Sequence, residues 1–327
     1  MGSGGHSTGP SPPWQPVRVD STHTSHAVVF PGQGSQFAGM ADPWVSHPAG
    51  NAVLQEASDA LSMAVVAGCH DDALLATTEF VQPALLACGV AAFRVLEAEG
   101  LTFMGTAGHS LGEFAALVAS GAVELAEALD LVVVRGAAMQ RAGEERPGTM
   151  AALLGVDAAQ AAALCDDARG DDVLVVANEN SPVQVVISGS IPAIARAQEI
   201  AAERRIRAVR LNVAGAFHSP LMEPAVAPIV ERLRTIEVRS PRFPVAENVA
   251  GALIDDPDVL RDLLGRHVVS PVRWESCARA LADAGATAFL EAGPGDVLTK
   301  LAKRVVPDAK AIAVGSPEIV AGLVANR

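Results

Sequence analysis

The stretch Gly108-His109-Ser110-Leu111-Gly112-Glu113 lies between an apolar run, Phe103 to Ala107, and a helix-forming run, Phe114 to Ala119. Strand, sharp turn and helix in that order form the setting of a Gly-x-Ser-x-Gly elbow. Small residues let the backbone double back there and hold the serine oxygen clear of the turn. Ser110 is therefore the candidate nucleophile. The Leu111 backbone N–H, at the head of the following helix, faces the region where charge would grow on an attacked carbonyl oxygen.

Upstream, Ala27 to Phe30 reads as a buried strand that ends in the loop Pro31-Gly32-Gln33-Gly34-Ser35-Gln36. Gln82-Pro83-Ala84 opens an Ala/Leu-rich helix reaching about Glu99. Past the elbow one helix stops near Gly121 and another runs from Glu124 to about Arg141. Alternating strands and helices predict an α/β fold, an α/β-hydrolase-like core around a largely parallel sheet. The pattern changes after Pro147-Gly148. Met150 to Val156, Val173 to Ala177, Gln184 to Ser188 and Val209 to Val213 read as strands, with helices at Ala158 to Ala168 and Pro192 to Arg204. That β-α-β-β-α-β order predicts a ferredoxin-like subdomain over 148–215, inserted in a catalytic domain made of 26–147 and 216–317. Strands near Phe243 to Ala246 and Thr287 to Glu291 resume the main sheet. Residues 1–25 are mostly Gly, Ser, Pro, Thr and His without a signal peptide's apolar centre, and read as a disordered leader.

Composition narrows the functional classes. Half of the 327 residues are apolar, yet no run approaches the roughly 20 apolar residues of a membrane span. The longest stretch, around Leu125 to Ala138, is interrupted by Glu127, Asp130 and Arg135, so a soluble protein is expected, with no membrane partner. The formal net charge of -13 argues against nucleic acid as a partner. Cys69, Cys88, Cys165 and Cys277 are too scattered for a disulfide framework or a zinc site, which fits a reducing cytoplasm.

Three further segments supply what a serine nucleophile needs. The glycines around Gln33 let its backbone N–H approach a reacting atom, as a second oxyanion donor beside Leu111. His218, in Gly215-Ala216-Phe217-His218-Ser219, returns the chain to the main fold and offers a base that titrates near neutral pH. His109 adjoins the nucleophile, so its side chain is expected to point away from that of Ser110. Arg135 follows Leu131-Val132-Val133-Val134 on a mostly apolar helix, where an unpaired charge is costly. It needs an anion: either a protein carboxylate or a substrate carboxylate gripped by the guanidinium fork.

With these segments in place, the chain resembles the malonyl-CoA:acyl carrier protein transacylases, the acyltransferase family of fatty-acid and polyketide synthesis. The likeness rests on Phe30 to Gln36, Gln82-Pro83-Ala84-Leu85, Gly108 to Glu113, Arg135 to Gln140, Asn178 to Pro182, Gly215 to Ser219, Pro271 to Trp274 and Gly293 to Leu298, in that order. The resemblance implies that Ser110 is acylated, that His218 is its base, and that Gln33 and Leu111 donate the oxyanion-hole N–H groups. Arg135 would pair with the malonyl carboxylate. Gln82, His109, Met139 and Asn180 would complete the substrate pocket, with Phe217 favouring malonyl over methylmalonyl. The family orients its histidine with a backbone carbonyl, and His267 stands where many relatives carry Gln or Asn.

The implied reaction is ping-pong transfer from malonyl-CoA to the phosphopantetheine thiol of an acyl carrier protein. The implied enzyme is a monomer that uses no metal and no cofactor of its own. Docking an acidic carrier on an acidic protein calls for a local basic patch, either Arg204, Arg205, Arg207 and Arg210 or Lys300, Lys303 and Arg304. Two other readings use the same residues: a serine thioesterase or esterase, and a docking module that keeps the fold without the chemistry.

Overall fold

Two sheets hold the ten strands of the computed structural model, which describes residues 25–325. In chain order they are β1 (His26–Phe30), β2 (Phe103–Gly108), β3 (Gly148–Leu154), β4 (Leu174–Ser181), β5 (Gln184–Ser190), β6 (Arg207–Arg210), β7 (Val245–Glu247), β8 (Ala252–Ile254), β9 (Ala288–Ala292) and β10 (Lys310–Val314). The first sheet runs β10-β9-β1-β2-β7-β8. Every pair in it is parallel except the β7–β8 hairpin at its edge. The fold is α/β with a mixed, mainly parallel sheet.

The central strands are apolar throughout because both faces of this sheet are covered. Successive side chains alternate across it. Val28 and Phe30 enter one core with Leu86, Phe93, Leu117 and Leu129, while Ala27 and Val29 enter another with Cys277, Leu281, Leu298 and Leu301. Each fully buried Leu, Val or Phe stabilises the fold by about 1.5–3 kcal/mol. The 21-residue helix Thr78–Ala98 is long and apolar enough, by length and composition, to cross a membrane, and 89% of its most apolar window is buried inside the protein. It, rather than Leu125 to Ala138, is the most apolar long segment. It starts at Thr78 rather than Gln82, because the Thr77 hydroxyl accepts from the Phe80 N–H and caps the helix a turn ahead of Pro83.

From Gly148 to Arg210 the elements run strand, helix, strand, strand, helix, strand, and the second sheet has the order β4-β5-β3-β6, antiparallel throughout. Its last strand is shorter than the sequence pattern predicts. Leu211 N–H still bonds to Met150 O at 2.9 Å, and then Leu211, Asn212 and Val213 leave the sheet to line a cavity. The expected strand Phe243 to Ala246 begins instead at Val245, leaving Phe243 to pack against Phe103. The hairpin strand β8 and the edge strand β10 carry no sequence signal strong enough to predict. The two sheets are stitched together where β4 meets the segment after Ser270. Val272 N–H donates to Ala177 O at 2.8 Å and Glu179 N–H to Val272 O at 2.9 Å. The leader lies outside the described residues, apart from Ser25.

Candidate active site

Parallel pairing sets the ends of β1 and β2 side by side, Phe30 opposite Gly108. Both chains then turn at the same edge of the sheet, where ligands of open α/β folds bind. His109 N–H bonds to Phe30 O at 3.0 Å, tying the Gln33 loop to the elbow. The elbow is tight enough to require glycine on both sides. A Cβ on Gly108 would lie 1.9 Å from the Gly112 carbonyl carbon, and one on Gly112 would lie 2.0 Å from Phe30 O. Ser110 itself takes φ +51°, in the left-handed region, and the helix Gly112–Ser120 starts immediately behind it.

His218, also at a positive φ of 56°, comes in from the far end of the second sheet. Its Nδ1 lies 3.1 Å from His267 O and 3.0 Å from Ser270 O. Carbonyl oxygens only accept, so Nδ1 carries the proton and Nε2 is a bare acceptor. The Ser110 hydroxyl therefore donates to His218 Nε2, at 2.7 Å. Burial first, and the nearby Arg135 charge second, push the His218 imidazole down to about 3. It stands ready as a base across the neutral range.

Arg135 is buried on the helix Leu125–Glu145. Its Nη1 donates to Gln82 Oε1 at 2.8 Å and its Nη2 to Ser110 Oγ at 3.1 Å, and the guanidinium lies over the Phe114 ring. Its Nε has no partner, and among the described residues no carboxylate lies within ion-pair distance of it. Burial pulls the group down to about 10, so it remains charged at neutral pH. Of the two anions that the sequence left open, a partner carboxylate in the protein is not the one the geometry provides.

Around these groups is a cavity of about 160 Å³, walled by Gln33, Gln82, Leu111, Met139 and Phe217 among others. It shares Gln33, His109 and Asn178 with a larger cleft of about 360 Å³ that passes Asn180 toward the helix Val297–Val305. His109 turns from the nucleophile and bonds through Nε2 to Asn180 Oδ1 at 2.8 Å. His267 gives His218 its carbonyl, while its own ring is buried edge-on against the His218 ring. Ser110, His218, Arg135, Gln33, Leu111, Gln82, His109, Met139 and Phe217 thus line one cavity, Asn180 lines only the adjoining cleft, and His267 lines neither. Among the described residues no group of three His, Cys, Asp or Glu side chains could hold a metal ion.

Two residues escaped sequence reasoning. Ser270 shares the orientation of His218, and lies inside the stretch Arg266 to Trp274 without any mark of that task. Asn248 accepts from the Ser110 N–H, and follows a three-residue strand that carries no motif. Of the two basic patches, Arg204 and Lys300 are taken up by Asp167 and Asp296.

Residues 27–324 match the model of the acyl transferase domain. The chain belongs to the acyl transferase domain family. Its curated relatives in that family include the malonyl CoA-acyl carrier protein transacylase of Escherichia coli K12, 40% identical over 91% of this chain and 98% of the relative. The Bacillus subtilis 168 transacylase is 38% identical over 90% and 94%. Among solved family members, the Xanthomonas oryzae malonyl-CoA:acyl carrier protein transacylase superposes with a TM-score of 0.89 at 39% identity, covering 93% of this chain and 99% of that one. A malonyl-transacylase solved in complex with its type II PKS acyl-carrier protein gives 0.89 at 36%, covering 93% and 100%.

Proposed function

We propose that this protein transfers a malonyl group from malonyl-CoA to the phosphopantetheine thiol of an acyl carrier protein, through an ester on Ser110. The observation that carries this reading is the buried guanidinium of Arg135, held 3.1 Å from the nucleophile with no carboxylate in ion-pair contact among the described residues. A buried cation without an anion, one hydrogen bond from the attacking oxygen, suits an acyl group that brings its own carboxylate.

The chemistry follows from the hydrogen bonds. Ser110 Oγ attacks the thioester carbon while its proton passes to His218 Nε2. The oxyanion is held by the N–H groups of Gln33 and Leu111. When the C–S bond breaks, His218 returns the proton to the departing CoA sulfur. The carrier thiol then gives its proton to His218 and attacks the ester. The C–O bond breaks and Ser110 recovers its hydrogen. The carbonyls of His267 and Ser270 stabilise the imidazolium at each step, taking the place of an acidic side chain.

Arg135 and Gln82 hold the malonyl carboxylate, Met139 and Phe217 shape the acyl pocket, and His109 with Asn180 lines the path of the pantetheine arm. The core around the first sheet is assigned as α/β-hydrolase-like (26–147 and 216–317), and 148–215 as a ferredoxin-like insert. The enzyme works as a monomer in the cytoplasm. Intact-mass measurement after exposure to malonyl-CoA tests the reading. A malonyl adduct is expected, absent in Ser110→Ala and discharged by carrier protein. Discharge to water alone would make the protein a hydrolase instead.

A further inference from the structure

Behind the nucleophile lies a cluster of polar side chains that the mechanism does not use, those of Glu113, Glu247, Asn248 and His267, all essentially inaccessible to solvent. We propose that Asn248 is a positioning residue for acyl transfer, whose side-chain amide pins both ends of the turn carrying Ser110 and so sets where the nucleophile stands relative to His218. The inference rests on the transacylase reading and deepens it.

The bonds are reciprocal. Asn248 Oδ1 accepts from the Ser110 N–H at 2.9 Å, and Asn248 Nδ2 donates to Gly108 O at 2.7 Å. One planar amide therefore spans the residues on which the elbow turns, and holds Ser110 at a φ of 51° that side chains rarely adopt. Sheet register makes this reach available. Ala246 pairs with Ala107, so the residue two beyond it in β7's direction arrives beside the elbow.

The amide is itself fixed. Asn248 N–H donates to Glu113 Oε2 at 2.8 Å, joining it to the first turn of the helix behind Ser110. His267 Nε2 lies 3.4 Å from Asn248 Oδ1, while His267 Nδ1 has no partner. A bare ring nitrogen is cheaper to bury than an unpaired N–H, which places the hydrogen on Nε2, directed at Asn248 Oδ1. The carbonyl of the same His267 receives the proton-bearing nitrogen of His218. Asn248 therefore contacts the segment of the nucleophile and the segment that orients the base, yet it lines neither the cavity nor the cleft. Its removal should slow chemistry without weakening substrate binding.

The test compares Asn248→Ala with Asn248→Asp, which keeps an acceptor for Ser110 N–H but loses the donor to Gly108 O. In Asn248→Ala, kcat for malonyl transfer should fall about 30- to 100-fold with KM for malonyl-CoA unchanged, as expected for a misplaced reacting group. Labelling of Ser110 by a neutral fluorophosphonate should slow in parallel, since that reagent does not depend on Arg135. Asn248→Asp should lie between the variant and the parent. A folded Asn248→Ala with kcat within about threefold of the parent overturns the proposal, as does a loss confined to KM. If Asn248→Ala does not fold, the same limits applied to Asn248→Asp decide. Because phosphonate labelling needs no acyl donor, a parent protein that is labelled but transfers no malonyl group refutes the transacylase reading instead.

Discussion

Replacing Arg135 with Ala removes a charged donor pair that the folded protein leaves without an anion. In the free enzyme the guanidinium makes two bonds to neutral oxygens, at 2.8 Å to Gln82 and 3.1 Å to Ser110. A malonyl carboxylate would exchange these for two charge-assisted bonds of about 1.5–3 kcal/mol each, against about 1 kcal/mol for each neutral one given up. The net loss on truncation is therefore about 1–4 kcal/mol, and with each 1.36 kcal/mol worth a factor of ten, kcat/KM for malonyl-CoA should drop by about 5- to 1000-fold. An acetyl group has no carboxylate to lose, so acetyl transfer by Arg135→Ala should stay within about threefold of the parent or rise. The assay is transfer of each labelled acyl group to carrier protein, read as kcat/KM for the two donors side by side. Equal losses for malonyl and acetyl would refute the reasoning, since they would mean that Arg135 serves the fold or holds Ser110 rather than recognising the substrate.

The remaining expectations concern protons. With His218 pushed down to about 3 by burial and then by Arg135, kcat/KM should be level from about pH 5.5 to 8, instead of failing below the 6.5 of an ordinary histidine. A pH–rate profile with an acid limb near 6.5 would contradict this, and in Arg135→Ala the limb should move upward, because one of the depressing charges is gone. Glu113 is raised well above the carboxylate range, by burial first and by neighbouring Glu247 second. The native state therefore holds a proton that the unfolded chain has released, so above the ordinary carboxylate pKa stability must fall as pH rises, by up to about 1.4 kcal/mol per pH unit until the folded-state pKa is passed. Thermal unfolding followed against pH should show that slope reduced in Glu113→Gln, and an unchanged slope would place the proton elsewhere.

How far the sequence could be read depended on how local each cause was. Gly108 and Gly112 announce their turn because their close approaches are to chain nearby in the same motif or the adjoining strand. The apolar runs of β1 and β9 announce a sheet covered on both faces. The start of the helix Thr78–Ala98 was misplaced because Pro83 is a louder signal than the Thr77 cap, and β6 ends early because Leu211 to Val213 serve the cavity rather than the sheet. β8 and β10 stayed unread, since a three-residue hairpin arm and a half-exposed edge strand leave little pattern.

By itself the sequence determined that this chain would alternate strand and helix, present a serine on a glycine turn, and carry a histidine and a buried arginine suited to it. Those are properties of short stretches, dictated by backbone sterics and hydrophobic periodicity. Only the tertiary structure decided that Arg135 has no carboxylate of its own, that Ser270 adds a second carbonyl to that of His267 in orienting His218, and that Asn248 braces the elbow. Each depends on which distant segments the sheet register and the stitch between β4 and Val272 bring within hydrogen-bonding reach. Hydrogen bonds act only at contact, and no stretch of sequence encodes the contacts of its partners.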